Sequence, residues 1–293
     1  MALIPRRSAI AALVLCLGFL AAGSSKAAQR QTPKPVRIVS LTLGTDEITA
    51  GLVDPSRIVG MSRYASDETT SNVSAIAKKV HQSVERDVEQ IIALKPDIVL
   101  SARYSKLDGK EALAKLGIPY RELTQFGSVS DIEMNIRTIA ADLGEETRGE
   151  AMIREMRSKL DSASQALHGK KRSWRALYLA PGEWTAGSTT LFDEIIRHAG
   201  LHNAAAETGF KGNGQMSLET ILTIDPDLIV IGSGYSQDTD YSKHLANDSR
   251  LSMLQAVRNK RIISLPARHL LITSQFIGDA ALDLSERVAA LPE

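Results

Sequence analysis

At 293 residues, 43% of them hydrophobic, the chain is long enough to bury one large core or two smaller ones. A formal net charge of +1 and the lack of a basic run argue against nucleic acid as a partner. The single cysteine, Cys16, excludes a disulfide scaffold.

The chain opens with Arg6 and Arg7, an apolar run from Ala9 to Ala22, and small residues ending in Ser25, Lys26 and Ala27. Residues 1–27 read as a secretory signal peptide, with cleavage after Ala27 or at a neighbouring site. A membrane anchor is the second reading, but an apolar run of about 14 residues is shorter than the roughly 20 a spanning helix needs. The arginine pair raises a twin-arginine route, which the following residues match poorly. Cys16 is followed by Leu17 and does not read as a lipid-attachment site. Cleavage removes Arg6, Arg7 and Lys26, which takes the charge from +1 to −2 and leaves a cysteine-free chain. That combination fits a soluble periplasmic protein. Residues 28–35, polar and proline-containing, form a tether.

From Val36 the pattern alternates: strand 37–41, helix 45–52, strand 57–61, helix 88–94, strand 97–101, helix 110–116, strand 120–123. Such alternation predicts a parallel sheet in a first lobe over 36–128. Ligands of parallel sheets meet the loops at the carboxyl ends of the strands. There stand Thr42, Arg63, Tyr64, Arg103, Tyr104, Gln125 and Phe126.

Residues 129–170 read as connecting helices. Ile132, Ile136, Ile139 and Leu143, then Met152, Met156, Leu160, Ala163 and Leu167 after Gly144, recur at helical spacing. Gly144 with Glu145 and Glu146 suits a stop and a new start. The second helix, about 24 residues at about 1.5 Å each, makes a rod of about 36 Å, a strut between lobes.

A second lobe over 171–293 repeats the first. Asp87-VEQIIALKPDIVL and Ser217-LETILTIDPDLIV each read as a capped two-turn helix, a Pro-Asp stop and an apolar strand. RIVSL at Arg37 and RALYL at Arg175 match, as do the DEI of Asp46 and the DEII of Asp193. The expected fold is therefore α/β, two similar parallel-sheet lobes bridged by one long helix. Post-strand loops of the second lobe carry Glu183, Trp184, Phe210, Tyr235, Arg268 and His269. Only 4% of the chain is aromatic, so aromatics at these loops and their counterparts suggest a cleft for a large, partly apolar ligand. Packing of strand ends is the plainer reading of any one of them. Gly209–Gly214 and Gly232–Tyr241 read as mobile loops.

RIVSLTLGTDEI, DPSRIVGMSRYASDE, the two helix-plus-Pro-Asp copies and the long helix between them resemble the periplasmic substrate-binding proteins of iron-complex and cobalamin ABC importers. The resemblance runs from Val36 to the C-terminus. It implies the class III architecture, a monomer that holds its ligand between two lobes, and an inner-membrane permease dimer as partner. It also implies that Glu89 and Glu219, one per lobe, dock on permease arginines by charge-assisted bonds. Any carboxylate at the second position of a helix is also favoured by the helix dipole. No resident cofactor is expected, the ligand itself being a ferric siderophore or a cobalamin-like chelate.

The ligand-contact candidates are Arg63, Tyr64, Arg103, Tyr104, Trp184, Tyr235 and Arg268. Arginines and tyrosines would suit an anionic ferric chelate. Tyr64, Trp184 and Phe276 would wall a corrinoid. Haem would need an axial ligand, with Tyr64, Tyr104 and His269 as candidates. A bare metal on His198 and His202 is weakened by Gly200 between them, and His81, His168, His244 and His269 show no ligand spacing. An enzyme is the different-class alternative, but no Walker loop, dinucleotide fingerprint, nucleophile elbow or HExxH is present. For Asp46-Glu47 and Asp193-Glu194 the repeat offers a symmetric structural role in place of acid–base work.

Overall fold

The computed structural model describes residues 34–80, 82–169, 172–233, 241–270 and 272–292. Residues 1–27, read above as a signal peptide, and most of residues 28–35 lie outside them. The first lobe is built on five parallel strands: β1 (Ile38–Ser40), β2 (Ile58–Ser62), β3 (Ser83–Val84), β4 (Ile98–Ala102) and β5 (Tyr120–Leu123), in the order β3-β2-β1-β4-β5. Every residue of β1 and β4 is buried, as central strands of a parallel sheet covered on both faces require. Helices α1 (Leu43–Leu52), α2 (Ser74–Ala77), α3 (Val88–Ala93) and α4 (Glu111–Lys115) return the chain.

Two helices leave this lobe. The first, α5 (Val129–Leu143), starts where Ser128 Oγ accepts from Asp131 N at 3.1 Å. It stops at Gly144, whose left-handed φ of 67° glycine adopts at little cost. The second, α6 (Glu146–Ala166), has 21 residues, about 31 Å at about 1.5 Å per residue.

The second lobe has β6 (Arg175–Tyr178), β7 (Trp184–Ala186), β8 (His202–Asn203), β9 (Asn213–Gln215), β10 (Leu228–Ser233) and β11 (Ile262–Pro266). Four of these run parallel in the order β11-β10-β6-β8, while β7 and β9 pair antiparallel. Asn213–Gln215 is thus a short strand, where the glycine content of Gly209–Gly214 suggested a mobile loop. Three residues are too few for alternation to register. The helices are α7 (Leu191–His198), α8 (Ala204–Glu207), α9 (Leu218–Ile224), α10 (Tyr241–Asn247), α11 (Gln255–Arg258) and α12 (Ile277–Ala289). α6 packs on α5 at one end and on α12 and α7 of this lobe. One buried core runs from Ile48 and Ile132 through Met156 and Leu160 to Ile195 and Leu284, so the lobes share apolar packing along the strut.

The repeat has a physical basis. Arg37 donates to Leu94 O at 2.7 Å, and Arg175 to Ile224 O at 2.9 Å, closing the end of α3 or α9. Lys95 and Asp225, each just before a proline, take left-handed φ of 49° and 40°, at positions where a right-handed helical backbone is disfavoured. Asp97 accepts from Arg37 N at 2.9 Å, and Asp227 from Arg175 N at 2.9 Å, so each Pro-Asp pins the first strand of its lobe. Asp46 binds Ser62 on β2, and Asp193 accepts from Asn203 on β8 at 2.9 Å. Among the described residues no helix is long and apolar enough to cross a membrane.

Candidate functional site

A cavity of about 610 Å³ opens at the carboxyl ends of the second lobe's strands. β6 supplies Tyr178, β7 Trp184, the start of α7 Leu191 and Phe192, and α10 Tyr241. The first lobe contributes Phe126, from the loop after β5. The chain between β11 and α12 closes one side with Leu270, Ile272 and Thr273. None of the lining residues among those described carries a charge.

Three wall hydroxyls already have internal partners. Thr185 donates to Tyr178 O at 2.7 Å, Thr190 to Gly187 O at 2.8 Å and Tyr241 to Ala180 O at 3.0 Å. Burial pushes the Tyr241 phenol up to about 12, and also raises that of Tyr178. Both are neutral near pH 7, so the wall stays uncharged.

Of the residues singled out in the sequence, Trp184 lines the cavity and is 47% exposed, free to stack on a guest. It opens β7 and does not sit in a loop. Tyr104 stands next to the cavity, edge-on to Phe126 with ring centroids 5.0 Å apart. Its ring is open to solvent, while its hydroxyl is enclosed near Thr273 and Thr42, and that burial raises its pKa.

The arginines are elsewhere. Arg63 donates to Tyr64 Oη at 2.9 Å, lies over the Tyr64 ring, and faces Glu85 at 3.7 Å, and neither residue lines the cavity. Arg103 is exposed outside it, its backbone N–H bound to Leu123 O at 2.8 Å. Arg268 lines a second, polar cleft of about 400 Å³ with Glu68, Asn72 and Asp279. Its backbone N–H donates to Thr69 O at 3.0 Å, which draws this stretch onto the first lobe. His269 lines that second cleft too, its Nδ1 2.9 Å from Asp283 Oδ2. Burial lowers its pKa. Phe276 also faces the second cleft. Tyr235 lies outside the described residues.

Tyr178, Phe192, Tyr241, Ile272 and Thr273 escaped the sequence reading. Tyr178 and Phe192 read as ordinary core positions of a strand and a helix. Ile272 and Thr273 belong to a stretch without periodicity.

Glu89 and Glu219 are both exposed, each at the second position of its helix. Asp87 Oδ1 accepts from Glu89 N at 2.9 Å, and Ser217 Oγ from Thr220 N at 3.1 Å, so the two helix starts are capped alike.

The family described as periplasmic binding protein matches residues 38–269. An uncharacterized ABC transporter substrate-binding lipoprotein of Bacillus subtilis, YvrC, is 28% identical over 238 residues, covering 78% of this chain and 72% of that protein. A cobalamin-binding protein of Halobacterium salinarum is 25% identical over 240 residues, covering 81% of this chain and 65% of that protein. In structure, the periplasmic heme-binding protein RhuT of Roseiflexus sp. RS-1 superposes with a TM-score of 0.72 at 24% identity, covering 86% of this chain and 98% of that one.

Proposed function

Because this chain belongs to the periplasmic binding protein family, the solute-binding components of ABC importers, we propose that it captures a corrinoid between its lobes and delivers it to a permease dimer in the inner membrane. The observation that carries the ligand class is the uncharged, aromatic wall of the 610 Å³ cavity. A corrinoid offers broad apolar faces and neutral amide arms, which Trp184, Phe126 and the wall's hydroxyls suit. An anionic ferric catecholate, or the propionates of haem, would bring charge against a wall that has no cation among the described residues. The arginines that would have supplied one, Arg63 and Arg268, lie outside the cavity. The cobalamin-binding relative agrees with this choice.

Binding in this reading involves no turnover. Residues 1–27 direct export to the periplasm, where the chain works as a monomer. Glu89 and Glu219 dock on the permease, one from each lobe.

Native mass spectrometry tests the ligand. Residues 28–293 are mixed with cyanocobalamin, haem, a ferric hydroxamate, a ferric catecholate and zinc, and retention of cyanocobalamin is expected. Retention of the hydroxamate, the catecholate, haem or zinc in its place would overturn the corrinoid assignment.

A further inference from the structure

The repeat that accounts for Asp46 and Asp193 fails one residue later. Glu194 stays on its own helix, paired with Arg197 and with His198 at 3.6 Å. Glu47, its counterpart, is 1% exposed and reaches across the seam between the lobes. Glu47 Oε2 accepts from Ser274 Oγ at 2.5 Å, and Oε1 accepts from Asn72 N at 3.0 Å and Asn72 Nδ2 at 2.9 Å. Gln275 Nε2 donates to the Glu47 carbonyl at 3.0 Å, and Asn72 Nδ2 donates to Arg268 O at 3.1 Å.

A buried carboxylate is tolerated when its oxygens are satisfied by donors. Here the donors come from both sides of the seam. The partners on the second lobe's side, Ser274 and Gln275, directly follow Ile272 and Thr273, which line the cavity. Thr273 lies so close to the start of α1 that a Cβ on Gly44 would stand 2.1 Å from its Oγ1, so only glycine admits it there. Ile272 and Ser274 are themselves buried.

We propose that Glu47 is a positioning residue for ligand binding: it clamps the strap of residues 272–275 onto the first lobe and so fixes one wall of the cavity without touching the ligand. The inference rests on the reading of that cavity as the binding site. The clamp neutralises no partner charge. Its work is to hold Ile272 and Thr273 in register with Phe126 across the cleft. Releasing it frees the strap, and the wall loses its shape before either sheet is disturbed.

The test uses residues 28–293 with Ser274→Ala, Glu47→Ala and Glu47→Gln. Hydrogen exchange of the unliganded protein reads the strap, and cyanocobalamin titration reads the site. Ser274→Ala and Glu47→Ala are expected to speed exchange across 272–275 by about tenfold, as loss of one or more buried hydrogen bonds implies. Exchange in β10 and α9 stays at the wild-type rate, and cyanocobalamin affinity falls severalfold. Glu47→Gln keeps an oxygen for Asn72 and offers its amide to Ser274 Oγ, so it restores most of both. Should Glu47→Ala fail to fold, Ser274→Ala, which deletes one hydroxyl, carries the test. Strap exchange at the wild-type rate in Ser274→Ala, or faster exchange with unchanged affinity, overturns the proposal. If wild-type protein does not bind cyanocobalamin, the corrinoid reading falls by itself, and affinity is scored with N-phenyl-1-naphthylamine, an uncharged probe of apolar cavities, against the same expectations.

Discussion

Tyr178 and Phe192 pack with ring centroids 4.8 Å apart and planes at 43°, so the wall of the cavity holds the Tyr178 ring through its aromatic body. Among the described residues its hydroxyl has no hydrogen-bond partner, whereas those of Thr185, Thr190 and Tyr241 are all engaged. In the proposed site this phenol would serve as a polar handle for the ligand. Tyr178→Phe is expected to weaken cyanocobalamin binding by about five- to tenfold, roughly 1 kcal/mol, while leaving the melting temperature unchanged or slightly higher. Calorimetric titration beside a thermal melt checks both. Unaltered affinity would assign the hydroxyl to solvent.

Glu89 and Glu219 are exposed and far from any role in the core, so reversing their charge leaves the fold alone. Glu89→Arg combined with Glu219→Arg is expected to keep ligand affinity within about twofold and to abolish stimulation of the cognate transporter's ATPase. The single variants fall between. Stimulation at the wild-type level by the double variant would remove the docking assignment.

The lobes were legible because their repeat is enforced locally. Arg37 and Arg175 close helix ends, Lys95 and Asp225 precede prolines, and Asp97 and Asp227 pin strands, all within one helix-turn-strand unit. Trp184 was legible as an aromatic near a strand end. Arg63 and Arg268 lie outside the cavity, and their surroundings are tertiary: Glu85 is 22 positions from Arg63, and the backbone of Arg268 bonds Thr69. Glu47 escaped for the same reason, its partner Ser274 being 227 residues away. The repeat even pointed to a purely symmetric role for Glu47, and the contrast with Glu194 shows where symmetry gives way to the seam.

The strut is tied to the second lobe at one close approach. A Cβ on Gly278 of α12 would lie 2.8 Å from Met156 O and 2.9 Å from Lys159 Cβ on α6. Backbone cannot yield there as a side-chain tip could, so Gly278→Ala is expected to part the helices and cost about 2 kcal/mol. Lys159 also bonds Asp279 at 2.9 Å, an ion pair the shift would strain. In urea unfolding the midpoint should fall with an unchanged slope. A midpoint equal to wild type would mean that the helix pair has slack the geometry does not suggest.

Asp46 is wholly buried, and that burial pushes its carboxyl from 3.8 to about 7 against the lowering effect of its bonds to Ser62. Between those values the folded protein holds a proton that the unfolded chain has released. The associated stability is fully present below about pH 4 and is lost as the pH rises through about 7, on the order of 4 kcal/mol at about 1.4 kcal/mol per pH unit. Asp46→Asn cannot ionise, yet its side-chain oxygen still accepts from Ser62. Glu47, also raised by burial, sits beside Asp46 and its charge adds to the Asp46 shift, so the comparison reads the adjacent pair and not Asp46 alone. In urea unfolding at a series of pH values from about 5 to 8, wild type should lose stability relative to Asp46→Asn at each upward step to about 7 and then level off. A difference that stays flat across that range would mean that Asp46 is ionised in the folded protein throughout, held by Ser62 and Ser40 strongly enough to outweigh its burial.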